Sequence, residues 1–413
     1  MNDSASPLKQ ARWLMALIVT AFAIRLAAGL VHPLTLPDSV DYLHLARRID
    51  RGQSYIVTGM YAKRLPGYPI FLALILAADG GRLVGIIIAQ AVLGAVTVYL
   101  TWSIARRISE PAALLAAALV AFDPLLIGFA ASYLSETLFT MLFLWSLLIF
   151  LQLCQHDSSL WRWLYFSLLF AAAIYVRAEI SLGIFPLLAF YLGWCRLRPI
   201  LARLARVLFS VVVVFLCLMP WWVRNWELFH ADFFRFSTLQ GISLYESVYH
   251  GATGGPRQSD IVRPPALMRL SESRRDMVWT HRAFTCITQH PWRIIRLAFI
   301  KIGRTWSPWL HAKGFRNPWI NAILTLWYSS EFILSLIGLG WFLRRRQYIH
   351  LLGILLIPIG YLTAMHAIFL GSVRYRVPVM PLVCILAAAG IVCLWPLVSS
   401  RRQAPPQVPP ALT

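Results

Sequence analysis

The chain is dominated by long apolar runs separated by short polar joints. A helix needs about 20 apolar residues to cross a ~30 Å hydrocarbon core. Ten runs come close to that length: 13–31, 83–105, 112–131, 134–154, 162–178, 180–195, 207–223, 318–343, 350–370 and 377–396. An eleventh, 67–78, has only twelve residues and predicts a re-entrant or interfacial helix. The pattern therefore predicts an all-α polytopic membrane protein with about ten spans.

Composition strengthens that reading. Hydrophobic residues make up 59% of the 413 and charged residues 13%, where a soluble domain carries about 25% charged residues. The net charge is +21, from 38 Lys and Arg against 17 Asp and Glu. The basic residues are scattered over many joints and form no single stripe, which argues against nucleic acid. The six cysteines show no C-x-x-C pair and no even set within one loop, so neither a disulfide framework nor a zinc site is predicted. No small-residue cleavage site follows 13–31, which reads as a first span and not a signal peptide.

Basic residues orient the chain. With Lys9 and Arg12 in the cytoplasm, Arg106, Arg107, Arg162, the arginines of 196–206, Arg344 to Arg346, Arg401 and Arg402 all fall on cytoplasmic ends. Counting 67–78 as a span would break that pattern. Both termini are then cytoplasmic and the long joints 32–82 and 224–317 face outward. The expected organisation is one membrane domain over 1–396 and a Pro-rich, disordered tail over 397–413.

With so few acids, their positions are informative. Pro37-Asp38, followed by Val40, Leu43, Ala46 and Ile49, predicts a short surface helix with Asp38 as N-cap, Asp41 at N3 and Gly52 ending it. A carboxylate held there is also a candidate general base. Glu136 starts an apolar helix, where it complements the helix dipole or serves the site. Asp123 precedes Pro124, which should kink the span 112–131. Glu179 reads as a local ion partner of Arg177. Arg64, Arg177, Arg224, Arg374 and Arg376 lie at outward ends of spans, where orientation disfavours arginine and a bound phosphate explains it. From Trp292, apolar residues at 295, 299, 302 and 306 recur at spacings of three and four beside Arg293 and Arg296. They predict an amphipathic interfacial helix started by His290-Pro291.

The order of these pieces resembles a known family. An acid in the first outward joint is followed by Arg64-Leu-Pro-Gly-Tyr-Pro, Ser135-Glu136-Thr-Leu-Phe, Tyr175-Val-Arg177-Ala-Glu, Pro220-Trp-Trp-Val-Arg224-Asn225 and Arg374-Tyr-Arg376-Val-Pro. Over residues 13–396 this resembles the GT-C membrane glycosyltransferases of the family-39 type. Relatives of that type are the protein O-mannosyltransferases and the lipid A aminoarabinose transferases. The resemblance implies a GT-C-like bundle with interfacial helices in the outward joints, in a bacterial inner membrane with the site facing the periplasm. It implies an inverting hexosyl- or pentosyltransferase that uses a polyprenyl-phosphate-linked sugar and a lipid, glycan or protein acceptor. Asp38 matches the catalytic acid, with Asp41 orienting or replacing it, and Glu136 matches the acid that binds or orients acceptor or sugar. Arg64, Arg374 and Arg376, then Arg177 and Arg224, match the donor phosphate. The first acids read Asp-Ser-Val-Asp, not the Asp-Glu of the mannosyltransferases. No D-x-D is present, so no cofactor is called for and a divalent metal is neither indicated nor ruled out.

Two other classes fit a basic, polytopic chain. A lipid-linked-sugar flippase would carry charges deep in several spans and often two related halves. Here Asp123 alone is clearly mid-span and no half repeats the other. A glycan polymerase or ligase would differ in product length.

Overall fold

The computed structural model describes all residues except 1–6, 156–158, 195–197, 231–232, 312–316 and 401–413. The Pro-rich end of the expected tail lies outside the described residues. The chain begins with α1 (Pro7–Val31), α2 (Pro37–Asp50), α3 (Gly67–Ala78) and α4 (Val84–Ala105). Next come α5 (Glu110–Phe122), α6 (Pro124–Ala130), α7 (Glu136–Gln155), α8 (Leu160–Val176), a 3₁₀ segment (Ala178–Gly183), α9 (Ile184–Trp194) and α10 (Ile200–Phe229). The second long joint holds α11 (Gln240–Val248), α12 (Pro265–Met268), α13 (Glu272–Gln289) and α14 (Pro291–Thr305). The chain closes with α15 (Pro318–Arg344), α16 (Ile349–Ile368), a 3₁₀ segment (Val373–Val379) and α17 (Met380–Ser400). Among the described residues no strand forms, and only isolated bridges such as Leu34 with Ser132 occur.

The expected count of ten spans needs correcting. Among the described residues seven helices are long and apolar enough to cross a membrane, or eight if the bent pair α5–α6 is one span. The expected spans 162–178 and 180–195 are instead α8 and the Ala178–Trp194 segment, both below spanning length by the same measure. The chain breaks between them because Arg177 leaves the helix at φ −147°, ψ 110°. The twelve-residue α3 stays short, as its run of apolar residues predicts.

The bend between α5 and α6 is 53° and has a local cause. Pro124 has no N–H to donate, and Asp123 turns out of the helix to cap the next one, its Oδ1 accepting from Leu126 N at 2.8 Å. Elsewhere small residues set the packing. A Cβ on Gly338 would sit 1.9 Å from the Leu386 carbonyl oxygen, and one on Gly390 would sit 2.1 Å from that of Leu334. The backbones of α15 and α17 therefore touch, as small residues permit between membrane helices.

The helix over Pro37–Asp50 starts two residues earlier than the sequence predicts. Leu36 is its N-cap, so Asp38 stands inside the first turn and Asp41 is past N3. Both still face the same way, three residues apart on a helix. Gly52 follows the helix end at φ +63°, a left-handed conformation suited to glycine. The amphipathic α14 is present with His290 as N-cap and Pro291 at its first position. It leaves Trp292, Ile295 and Phe299 exposed while Leu297 and Lys301 turn inward.

Candidate active site

Three structural devices bring distant motifs together. First, Leu34 N donates to Ala131 O at 3.0 Å, tying the entry of α2 to the turn before α7. Second, the fully buried Gln90 of α4 donates to Ser132 O, Leu134 O and the Tyr68 hydroxyl, at 3.1, 2.8 and 2.9 Å. That single amide fixes the turn preceding Glu136 and the start of α3. Third, Gly67 allows the first turn of α3 to rest on the end of α8. A Cβ there would lie 2.7 Å from both the carbonyl carbon and oxygen of Tyr175. Arg64, just before α3, and Arg177, just after α8, are drawn to one place by this contact.

The bent segment carrying Lys63 and Arg64 is held from the second long joint. Glu272 accepts from Tyr61 N and Ala62 N at 3.0 and 3.2 Å. Thr238 N donates to Ala62 O at 3.0 Å and the Ser237 hydroxyl donates to Lys63 O at 3.0 Å. From the other side the Tyr55 hydroxyl meets Arg64 O and Leu65 O, each at 3.1 Å.

The side chains so assembled form one chain of alternating charge. Lys63 meets Asp41 at 2.9 Å, and Asp41 also takes Arg64 at 3.0 Å. Arg64 continues to Asp38, Asp38 takes Arg374 at 2.7 Å through its other oxygen, and Arg374 continues to Glu136. Glu136 takes Arg177 at 2.6 Å, Arg177 takes Glu179 at 2.7 Å, and His366 lies 3.7 Å beyond. The His366 ring stacks on Tyr375 with centroids 4.2 Å apart. Four carboxylates and four cations thus balance in a part-buried cluster. Exposure varies along it: the side chain of Asp38 is 27% exposed, that of Asp41 9% and that of Glu136 0%. Burial by itself would push the Asp38 carboxyl up, but the guanidinium groups of Arg64 and Arg374 outweigh it and hold the carboxyl down at about 2.

Of the residues singled out in the sequence, Asp38, Asp41, Glu136, Arg64, Arg177 and Arg374 meet in this cluster. Glu136 is fully buried, and its Oε1 takes both Arg177 and Arg374. Arg376 stands apart. It is 1% exposed, donates to Thr305 O and Ser307 O, and lies 4.4 Å from the Tyr328 ring centroid. Arg224 sits beyond the Tyr55 side of the Arg64 segment. It stacks on Trp221 at 4.6 Å and Tyr55 at 5.5 Å and donates to Tyr61 O and Asn225 Oδ1, with no carboxylate partner among the described residues. Lys63 and His366 belong to the cluster and were not singled out. The signal for Lys63 was its place beside Arg64; for His366 the sequence carried none.

Next to the cluster a groove of about 450 Å³ opens among α3, α7, α8 and α10. Pro66, Gly67, Ile70, Leu138, Tyr175 and Trp221 are among its lining residues. It is apolar, and its neighbours in sequence are the charged residues Arg64, Arg177 and Arg224.

One other group among the described residues has metal-ligand geometry. Asp123, Glu331 and Cys384 each offer an atom within 4.8 Å of the others, all buried between α5–α6, α15 and α17. Much of their bonding capacity is taken within the group: Tyr328 donates to Asp123 Oδ1 at 3.1 Å and the Cys384 thiol to Glu331 Oε1 at 3.0 Å.

Comparison with known proteins gives the fold and a partial family match. The model for the dolichyl-phosphate-mannose-protein mannosyltransferase family matches residues 63–223. An archaeal oligosaccharyltransferase, AglB from Archaeoglobus fulgidus, in complex with an inhibitory peptide and a dolichol-phosphate, superposes with a TM-score of 0.55 at 12% identity. The alignment covers 97% of this chain and 52% of that one, so the chain spans about half the length of AglB. ArnT from Cupriavidus metallidurans, bound to undecaprenyl phosphate, aligns over 96% of this chain and 82% of its own, with 15% identity and a TM-score of 0.45. No curated protein sequence matches the chain. The chain shares the fold of the AglB segment it aligns with.

Proposed function

We propose that this protein is a glycosyltransferase that moves a sugar from a polyprenyl-phosphate carrier to a hydroxyl acceptor at the membrane surface. The observation that carries the reading is the alternating ion-pair chain Lys63–Asp41–Arg64–Asp38–Arg374–Glu136–Arg177–Glu179 beside an apolar groove. A carrier of this kind has a charged head and a long apolar tail, and the two features match those two needs. The matched family model and the dolichol-phosphate bound by AglB are in keeping with it.

In this reading Asp38 is the general base. It is the most exposed of the carboxylates in the ion pairs with Arg64 and Arg374 and can reach a substrate proton. The acceptor oxygen forms a bond to the anomeric carbon while its proton passes to Asp38. The bond from that carbon to the phosphate oxygen breaks, and the electron pair leaves with the carrier phosphate. Inversion follows from a single in-line displacement. The leaving phosphate gains a negative charge, which Arg64 and Arg374 are placed to meet, with bidentate geometry suited to phosphate oxygens. Arg224, stacked on the groove residue Trp221 and without a carboxylate partner among the described residues, would hold the head as the tail enters. Glu136 and Asp41 hold the arginines in place, and Arg376 anchors its segment to the end of α14. We assign the site to the periplasmic face of an inner membrane, with both termini cytoplasmic. The acceptor is a lipid, glycan or protein.

The test is transfer in proteoliposomes supplied with a polyprenyl-phosphate-linked sugar. Asp38→Asn should lower turnover about 10²- to 10⁴-fold, the usual worth of a general base, in protein that still inserts and folds. Turnover near that of the unaltered protein would remove Asp38 from the role.

A further inference from the structure

The cluster that should receive a phosphate is already neutralised by its own acids. Every cation in the ion-pair chain has a carboxylate partner, so an incoming phosphate has to exchange with one of them. Geometry identifies which. Arg64 and Arg374 each bind two carboxylates, and the one they share is Asp38, approached by Arg64 through Oδ1 and by Arg374 through Oδ2. Their other partners, Asp41 and Glu136, are much less exposed. Asp38 is the partner at the substrate side, and giving it up leaves both arginines tethered. Asp41 and Glu136 are each also held by a second cation, Lys63 and Arg177, and lie deeper, so Asp38 is the partner a phosphate can reach and displace.

We propose that binding of the donor unmasks the base: the carrier phosphate takes Arg64 and Arg374 from Asp38, so that Asp38 becomes competent only once the donor is seated. This rests on the reading of Asp38 and the two arginines given above. The groups that face Asp38 are Arg64 with Asp41 behind it, Arg374 with Glu136 behind it, and Tyr375 beside Arg374. With both guanidinium groups in place the carboxylate is a weak base, far from the strength a general base needs near neutral pH. Exchange corrects this and supplies the charge that the reaction demands. The sugar-carrier phosphodiester carries one negative charge and the departing monoester up to two, so the pull on the arginines grows as the bond breaks. Donor must then bind before acceptor, and an acceptor arriving first meets a carboxylate with both oxygens engaged.

The exchange makes an unusual demand on the base-deleted protein. Removing the charge at Asp38 removes the competitor of the phosphate, so an inactive variant should bind the carrier more tightly. Binding of undecaprenyl phosphate to purified protein in lipid nanodiscs is measured for the unaltered chain, Asp38→Asn and Asp38→Ser. Both variants should bind about 5- to 150-fold more tightly, the ordinary range of coupling between two ligands. Undecaprenol, which has the tail and no phosphate, should bind all three alike. Equal or weaker binding of undecaprenyl phosphate by both variants overturns the exchange, and so does an equal gain for undecaprenol. Turnover of the same variants separately decides the base: inactive protein with unchanged affinity keeps Asp38 as base and removes the unmasking.

Discussion

Neutralising Glu136 tests the central claim about the cluster, that a buried carboxylate holds two arginines in position. The substitution Glu136→Gln keeps size and an accepting oxygen and removes one charge. Glu136 has 0% side-chain exposure and lies 2.6 Å from Arg177 Nη1, with Arg374 Nε on the same oxygen. At that range one pair is worth about 6 kcal/mol in gross Coulomb terms at an effective dielectric near 20. Breaking a buried pair by deleting one partner costs about 3–5 kcal/mol net. Two pairs are lost here, but Arg374 keeps Asp38, Arg177 keeps Glu179, and the glutamine oxygen still accepts. We therefore expect about 3 kcal/mol. The assay is reversible unfolding in mixed dodecyl maltoside and SDS micelles. Glu110→Gln is the control, because Glu110 pairs with the exposed Arg106 across the α4–α5 joint, where an exposed pair is worth about 0.2–1 kcal/mol. If Glu136→Gln unfolds no more readily than the control, Glu136 does not hold the arginines and the reasoning fails.

Further outcomes follow from the same contacts. Gly67→Ala should cost about 1–3 kcal/mol by overpacking and abolish transfer, since the new Cβ meets the Tyr175 backbone at 2.7 Å; a stable, active variant in the same assays contradicts the close contact. Trp221→Ala should raise the KM for the polyprenyl donor with little change in kcat, as expected of a residue that binds ground and transition states alike; an equal KM removes the groove from donor binding. Asp38 has a folded pKa lowered from its ordinary 3.8 to about 2. Its charge therefore stabilises the fold above pH ~3.8 by about 2 kcal/mol, and that is lost as pH falls through ~2. Unfolding titrations at pH 6 and pH 2.5 on the unaltered protein and Asp38→Asn check the sign: the variant should lose less stability on acidification.

Most members of the ion-pair cluster were legible in the sequence because membrane proteins can ill afford charge. Acids and arginines at the outward ends of apolar runs are costly, so Asp38, Glu136, Arg64, Arg177 and Arg374 stood out one by one. The bent span was also legible, since a proline after an aspartate both breaks a helix and caps the next. Arg376 was not. It lies two positions from Arg374 in a 3₁₀ segment (Val373–Val379), and at three residues per turn a step of two sends the side chains to different sides. One meets Asp38 and Glu136; the other meets the carbonyl groups at the end of α14. The count of spans failed for a similar reason. Hydrophobicity is continuous across 163–195 apart from Arg177 and Glu179, and the chain leaves the helix where Arg177 turns to pair with both Glu136 and Glu179.

The sequence by itself determined the helices, their amphipathic or wholly apolar character, and which residues were costly enough to need a purpose. Those properties depend on neighbours a few positions away. The tertiary structure alone decided who pairs with whom. Asp38 and Arg374 are separated by 336 positions and Arg374 and Glu136 by 238. Such contacts depend on devices elsewhere in the fold: Gln90 fixes the turn before Glu136, and Gly67 lets the helix ends next to Arg64 and Arg177 touch. Ion-pair energy falls off steeply with distance, and no local pattern encodes a separation set by helices packing across a bundle.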